Sequence, residues 1–542
     1  MPGLGASVGP QFREAVRGVV SDLVNQEGGE SAAVQAHVTP RERATLLVSV
    51  LIISICALTY ELIVATLSSY LLGDSITQFS FTIGLFLSAM GLGALLSRRI
   101  ARHEVRWFII VEVLTGLFGG VSAAILYATF TAINDYYYLV MVVMVLAIGI
   151  CIGLEIPLLT RIVARRADLS HALADVLSID YLGALIGSLA FPLILLPLLG
   201  VTQTAFLMGM LNILVAGLNL WLFRERIPAS VNRWLWVGVG ACGALMITGS
   251  ILSADFVRFF EQQLYDDHII YREQTPYQRI VITRGGEDVR LFLNGDIQFS
   301  SRDEYRYHEV LVHPVMSLVR SYETIAILGG GDGMVIRELL QYPEVKRIIL
   351  VDLDPAITTL AREHPILRRL NRDALADPRV TIINEDAYKY IEETGEQFNL
   401  VIIDLPDPNN ESLSKLYSQQ FYRLLRKRLT PDGAFVTQAA SPYFVREAFW
   451  VIVHTIQASE FFALPLRTHV PSFGEWGFVI GTIYRPPALA IPEGLTLRYL
   501  TPDVLAQAQS FDPDIAEIPT GINTLDNPLL SRVYERGWQQ WQ

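Results

Sequence analysis

The sequence predicts an all-helical, membrane-spanning N-terminal half followed by an α/β half with a doubly wound parallel sheet. Three observations carry this. Of 542 residues 51% are hydrophobic and only 18% charged, more apolar than a water-soluble chain of this size. Up to about residue 255 that excess is gathered into blocks near the ~20 residues a helix needs to cross hydrocarbon. Beyond about residue 265 short β-branched runs alternate with helical stretches instead.

In chain order, a polar tail over 1–43 lacks the charged, then apolar, then small-residue pattern of a cleaved signal peptide and is expected to stay attached. A multi-pass membrane domain over 44–255 follows, with seven apolar blocks at roughly 45–72, 78–97, 107–130, 137–159, 179–199, 203–223 and 234–253. Gly183 with Gly187, and Gly116 with Gly120, set small residues one helical turn apart, which lets neighbouring helices approach closely. Arginines follow every second block: Arg98, Arg99, Arg102 and Arg106, then Arg161, Arg165 and Arg166, then Arg224, Arg226 and Arg233. The positive-inside rule therefore makes the N-terminus cytoplasmic, and an odd number of spans sends the second half outside. Four acids, Glu61, Glu112, Glu155 and Asp180, sit in or at the ends of spans. They either bind or pass a cation, or pair with arginines and hydroxyls near the interfaces.

Other whole-chain properties exclude function classes. The net charge of −12 argues against a nucleic-acid partner and suits a cationic ligand. Cys56, Cys151 and Cys242 all lie in apolar runs, so neither a disulfide framework nor a cysteine metal site is available.

The second half opens with a small β unit over 260–320, marked by alternation in "QRIVITRGGEDVRLFLNGDIQFS" and turn signals at Gly285-Gly286 and Asn294-Gly295. Over 321–485, "TIAILGGGDGMVIRELL" reads as strand, glycine turn and helix, and "RIILVDLDP", "VTIINEDAYKYI" and "FNLVIIDLPDP" repeat the pattern. That is a Rossmann-like, methyltransferase-like order, with its ligand at the carboxyl ends of the strands. A Pro-containing polar extension over 486–542 is expected to be peripheral.

The glycines of "GGGDG" permit close backbone approach to a ligand, and Asp352 follows about 20 residues later, where a carboxylate can accept ribose hydroxyls. Asp386 and Asp404 end the next two strands, so successive strand ends aim acids at one crevice; the alternative is that they are helix caps and turn residues. Asp332, inside the glycine loop, would repel a pyrophosphate or the methionine carboxylate of S-adenosylmethionine. It would attract a nucleoside whose tail ends in an ammonium.

These stretches resemble the polyamine aminopropyltransferase family, that is spermidine synthase and its relatives, in its membrane-fused bacterial form. The likeness runs in order through "YQRI" (277–280), "NGDIQFSSRDEYRYHEVLVHP" (294–314), "LGGGDG" (328–333), "VDLDP" (351–355), "EDAYKY" (385–390), "DLPDP" (404–408), "LYSQQFYRLLRKRLTPDGAFVTQ" (416–438) and "GEWGF" (474–478). The resemblance implies transfer of the aminopropyl group of decarboxylated S-adenosylmethionine to an amine, putrescine by default, giving spermidine and methylthioadenosine. It implies no metal and no cofactor beyond that co-substrate, a lipid bilayer and a diamine or polyamine as partners, and the dimers or tetramers common in the family. It also implies roles. Asp404 is the catalytic base; Asp407, Tyr307, Gln438 and His308 bind the polyamine; Gln278, Gln298, His308, Asp332, Asp352, Asp386 and Ala387 bind the nucleoside donor, with Glu309 in support.

There are departures from the family pattern. Asn294 stands where an aspartate is usual, Leu405-Pro406 replaces a Ser or Thr pair, and a tyrosine before Gly474 that closes over the amine is absent. These leave open cadaverine, spermidine or an unusual diamine as acceptor. Two other functions stay open: a methyltransferase, and a polyamine-binding regulator or transporter built on the bundle. The membrane is expected to be the cell (inner) membrane. The cytosolic chemistry of the donor places the catalytic half in the cytoplasm, against the arginine count.

Overall fold

The computed structural model describes residues 39–72, 75–100, 102–164 and 169–541. The tail up to residue 38, Arg165 and Arg166 lie outside them. The N-terminal half is α1 (Pro40–Leu72), α2 (Ser75–Leu96), α3 (Glu104–Ala132), α4 (Tyr137–Ala164), α5 (Leu169–Ala190), α6 (Leu196–Leu222) and α7 (Ala229–Gln263). Helix α1 starts inside the expected tail, with proline at its first position and Glu42 in its first turn, both of which suit a helix N-terminus. Gly183 and Gly187 lie where a Cβ would come within 2.7 Å and 2.8 Å of the Leu51 and Ile55 carbonyls of α1, so the glycine spacing marks a close helix contact.

Among the described residues six helices, not seven, are long and apolar enough to cross a membrane. The difference lies in Ser170–Leu222, where the blocks expected at 179–199 and 203–223 join through a π turn at Phe191–Leu195. Gly200, at φ 71° and ψ 177°, is non-helical inside it, and the chain turns back there. Gly183 and Gly187 approach Leu51 and Ile55 in that order, so α5 runs parallel to α1. Met208 meets Cys56 and Asn219 meets Ser49, so α6 runs antiparallel to it. No charged residue marks the reversal, and the apolar pattern passes straight through it.

The second half contains two sheets. Strands β1 (His268–Gln274), β2 (Arg279–Gly285), β3 (Asp288–Leu293) and β4 (Asp296–Ser300) form an antiparallel sheet in that order. Its β3–β4 turn is Asn294-Gly295, at φ 53° and 92°, a pair suited to left-handed turns. The larger sheet has the order β10-β11-β9-β8-β5-β6-β7: β5 (Thr324–Gly329), β6 (Arg347–Asp352), β7 (Val380–Asn384), β8 (Phe398–Asp404) and β9 (Leu429–Gln438) are parallel. The last two, β10 (Phe462–Val470) and β11 (Gly474–Thr482), are antiparallel.

Alternate residues of the central strands serve opposite faces. Ile325, Ile327, Ile348, Leu350, Leu400 and Ile402 enter one apolar core, and Ala326, Leu328, Ile349, Val351, Val401 and Ile403 the other. Each large side chain so buried contributes roughly 1.5–3 kcal/mol. This is why these strands read as unbroken apolar runs. The extension after residue 486 is not peripheral: Ile515, Leu530 and Val533 are buried, and Glu309 accepts the backbone N–H groups of Arg498, Tyr499 and Leu500 at 2.7–2.9 Å.

One buried acid joins the halves. Glu261, in the last turn of α7, is 2% exposed and holds Arg279 of β2 at 2.7 Å and Arg272 of β1 at 3.1 Å. Glu261→Ala is expected to destabilise the full chain by about 2 kcal/mol, below the usual range for breaking a buried pair because both arginines keep some solvent. Thermal unfolding in detergent reads this out as a lower Tm, with Glu261→Gln intermediate.

Candidate active site

The site forms where β5 changes neighbours, with β8 on one side and β6 on the other, so that three strand carboxyl ends meet. The turn after β5 must pass directly over the end of β8. Gly329 (φ 78°) leaves no room for a side chain, since a Cβ would lie 2.2 Å from the Asp404 carbonyl oxygen. The N–H of Gly330 donates to that same oxygen at 2.9 Å. At β6, Asp352 accepts from Gly331 N at 3.1 Å and from Asp354 N at 3.0 Å. Helix α8 (Glu304–Met316) brings Tyr307 and His308 from beneath, and the β4 end brings Asp296 and Gln298.

Together these enclose a cavity of about 340 Å³ lined by Gln278, Gln298, Tyr307, His308, Asp332, Asp352, Asp386, Ala387, Asp404, Asp407 and Gln438. Every catalytic or binding residue expected from sequence is therefore on one cavity, while Glu309, expected in support, is not among its lining residues. Within it they divide by position.

At one end, Gln278 is fixed by donating to Asp354 Oδ2 at 3.0 Å, and Thr275 donates to the same oxygen at 2.7 Å. Burial raises Asp352 to about 6, against two backbone N–H bonds that lower it. Asp386 caps the helix beginning at Ala387 by accepting from Tyr388 N at 2.8 Å, and takes Lys415 Nζ at 2.6 Å. Burial opposes its ionisation, but Lys415 holds it below the usual carboxylate value. Asp332 accepts from Met334 N at 2.9 Å, and burial pushes its carboxyl up.

Beneath the cavity runs a buried charge ladder. His308 Nδ1 lies 2.8 Å from Glu304 Oε2, and Glu304 receives both guanidinium arms of Arg337 at 2.8 and 2.9 Å. Burial alone would lower His308, but the Glu304 hydrogen bond and charge outweigh it and raise the imidazole to about 9. Burial would raise Glu304, yet His308 and Arg337 hold it down at about 2. His308 thus carries positive charge beside Asp332 and Asp404.

At the other end stand the acids of "DLPDP". Tyr307 O–H donates to Asp404 Oδ1 at 2.6 Å. Burial raises Asp404 to about 6, the His308 charge lowering it and Asp332 adding to the rise. Tyr534 O–H donates to Asp407 Oδ2 at 2.6 Å, leaving Asp407 Oδ1 buried without a partner. Burial raises Asp407 to about 7, with nearby Asp296 adding to the rise. Asp296 itself stands exposed at the cavity mouth, accepts from Asn409 Nδ2 at 3.1 Å, and is pushed up to about 6 by the protein around it, which the Asn409 bond only partly offsets. Gln438 places its amide N–H groups on the Leu405 carbonyl at 2.8 Å and Tyr417 O–H at 2.7 Å, so it holds the loop between the two acids. Among the described residues no group of three His, Cys, Asp or Glu is placed to hold a metal ion.

Five contributors escaped the sequence reading, among them Asp296 at the mouth near Asp407. Thr275, Asp354 and Glu304 act through Gln278 and His308. Tyr534 comes from helix α9 (Leu529–Trp538) and meets an acid 127 positions away. The only sequence signal was the run of aromatic residues in "YERGWQQW", which reads equally well as packing.

This geometry stands beside clear relatives. Residues 304–486 match the family model described as the Spermine/spermidine synthase domain. A polyamine aminopropyltransferase of Leptospira interrogans is 42% identical, the match covering 92% of this chain and 99% of that protein. Polyamine aminopropyltransferase 2 of Ralstonia nicotianae is also 42% identical, over 92% of this chain and 99% of its own length. A spermidine synthase structure from Thermotoga maritima overlaps 45% of this chain and 85% of its own, at 24% identity and a TM-score of 0.41. On the near-complete coverage of those relatives, the chain belongs to the polyamine aminopropyltransferase family and is an aminopropyltransferase enzyme.

Proposed function

We propose that this enzyme transfers the aminopropyl group of decarboxylated S-adenosylmethionine to a diamine, putrescine, giving spermidine and methylthioadenosine, while held in a membrane by its helical half. The observation that carries the acceptor assignment is the open Oδ1 of Asp407, a buried acceptor on the cavity wall with no donor of its own.

In this reading Asp352 and Gln278 hold the ribose end of the donor, Asp386 and Ala387 border its adenine, and Asp332 faces the ammonium of its aminopropyl tail. Asp407, aided by Asp296, takes the far ammonium of the diamine. The near nitrogen arrives protonated, with a pKa near ~10 for an alkyl ammonium. Asp404 accepts that proton and frees the lone pair. The nitrogen then bonds to the carbon next to sulfur, the C–S bond breaks, and its electron pair leaves on sulfur as a neutral thioether. The product nitrogen becomes a secondary ammonium, and its charge replaces that of the sulfonium. Positioning and charge do most of the work.

The membrane reading rests on the six apolar helices, and the side on which the catalytic half sits follows from their order. Arg226 pairs with Glu42 at 2.7 Å, and Arg161 binds the Ser97 and Ile100 carbonyls at 2.9 Å. The described arginines of the joints therefore gather at the end of the bundle where α1 begins. The catalytic half joins the opposite end through Glu261. Positive-inside orientation then favours the outer side, against the cytoplasmic placement that the donor's chemistry suggests.

Three outcomes are expected. Asp404→Asn should lower kcat about 10²–10⁴-fold, as loss of a general base does, and Asp407→Asn should raise the amine KM about 10–100-fold with a smaller change in kcat, as loss of a charged hydrogen bond does. Both variants are read by methylthioadenosine release. Second, kcat/KM should fall as pH drops through about 7 and then about 6, as Asp407 and Asp404 take up protons. Tyr534→Phe removes a bond that favours the Asp407 carboxylate, so it should move the upper limb to higher pH. Third, a reporter fused after Gln542 should be active outside the cytoplasm; cytoplasmic activity would show that the arginine asymmetry is overridden.

A further inference from the structure

The helical half contains a second acid site that plays no part in the transfer. Glu112 of α3 and Glu155 of α4 are 0% and 1% exposed and stand within hydrogen-bonding reach of each other. Asn212 of α6 joins them, its Nδ2 reaching Glu112 Oε2 at 3.5 Å, and Thr115 donates to Glu155 Oε1 at 2.7 Å. Asp180 of α5, which accepts from Ser54, lies at the same depth beside Glu155. The layer falls near the middle of α1: Asn212 sits between Met208, which meets Cys56, and Asn219, which meets Ser49. Two residues beyond Glu155, Pro157 removes the N–H that would have bonded the Gly153 carbonyl, so one rung of the otherwise continuous helix is missing beside the acids.

The oxygens of this layer are not balanced by donors. Glu112 Oε1, Glu155 Oε2 and Asn212 Oδ1 are buried acceptors with no hydrogen-bond partner, and the one unpaired donor in the layer is the Tyr60 hydroxyl. The titratable groups facing the pair are Cys56 and Tyr60 of α1, Cys151 of α4 and Asp180 of α5, and none of them is basic. A buried carboxylate pair without a cation is not sustainable. A single proton between the two carboxyls satisfies Glu112 Oε1 and Glu155 Oε2 but leaves Asn212 Oδ1 open. An alkylammonium carries three N–H donors, and three open acceptor oxygens wait here. Acids at mid-depth in helical bundles usually face a cation or an aqueous path.

We propose that Glu112, Glu155 and Asn212 form a binding site for the ammonium head of an amine, separate from the transfer site, which the amine enters in exchange for the proton joining the two carboxyls. One positive charge leaves as one arrives, so the exchange is electrically neutral within the layer. The choice of amine as occupant rests on the acceptor chemistry proposed above, whereas the site itself rests on the open oxygens.

The test is equilibrium dialysis of the full chain in detergent with labelled putrescine. The wild type should bind two amines per chain, Asp404→Asn/Asp407→Asn one, and Glu112→Gln/Glu155→Gln one, with the transfer rate of the last within twofold of wild type. The infrared C=O band of a protonated carboxyl should fall when amine saturates the Asp404→Asn/Asp407→Asn chain. That readout needs no change in the bundle. If this chain binds no amine, if its band is unmoved by amine, or if sodium chloride alone removes the band, the proposal is overturned. If Asp404→Asn/Asp407→Asn still binds two amines while Glu112→Gln/Glu155→Gln binds one, the bundle site stands and the acceptor assignment of Asp407 falls instead.

Discussion

The contact on which the rest of the catalytic half depends is the seating of Gly329 and Gly330 on the backbone of Asp404. Parallel pairing of β5 with β8 brings the two strand ends level, and the Gly330 N–H then locks the turn to the Asp404 carbonyl. Only a residue without a Cβ fits at 329. Because the turn cannot lift, Asp332 and Asp352 are held at fixed positions from Asp404, and burial raises all three, with the charge of Asp332 adding to the rise of the other two. The pocket is thus electrostatically unfavourable when empty and favourable when cations fill it. Such a trade of stability for function is expected at sites shaped for charged ligands.

That strain is contained by the ladder beneath. Glu304 sits between His308 and Arg337, and Glu338 between Arg337 and His313, so buried acidic and basic side chains alternate through α8 and the short helix Met334–Leu339. Each member has a partner, which is the condition for a buried ionic network to be tolerated. The ladder also places a persistent positive charge next to Asp404. Without it, burial and Asp332 would push Asp404 further toward its protonated form, and the base proposed above would be lost at neutral pH.

What could be read from sequence followed from locality. Strand, glycine turn and acid lie within a few residues of one another in "LGGGDG", "VDLDP" and "DLPDP", so the carboxyl-end crevice and its acids were visible. Helical spans were visible for the same reason, being continuous apolar blocks. The break at Gly200 was not, because no charged residue marks the reversal and the apolar pattern runs through it. Tyr534 was not, because its partner Asp407 is reached only after the chain has closed the sheet and returned. Glu309 was expected to support the pocket, yet it ties down residues 498–500. A buried acid in a motif does not announce which backbone it will cap. The tail was misjudged on its polar composition, although its few apolar residues complete the second core.

The same reasoning bears on how the two halves relate. Glu261 ends the last bundle helix and grips Arg279, whose backbone N–H donates to Asn294 Oδ1 at 2.8 Å. Arg279 directly follows Gln278, which lines the cavity. The departure at Asn294 therefore has a structural use: its side chain closes the small sheet onto the strand that the bundle holds. One ion pair and one peptide bond separate the membrane-type helix from a residue on the cavity wall. The small sheet is thus more than a lid on the catalytic unit, since it is the element through which the helical half sets the position of Gln278.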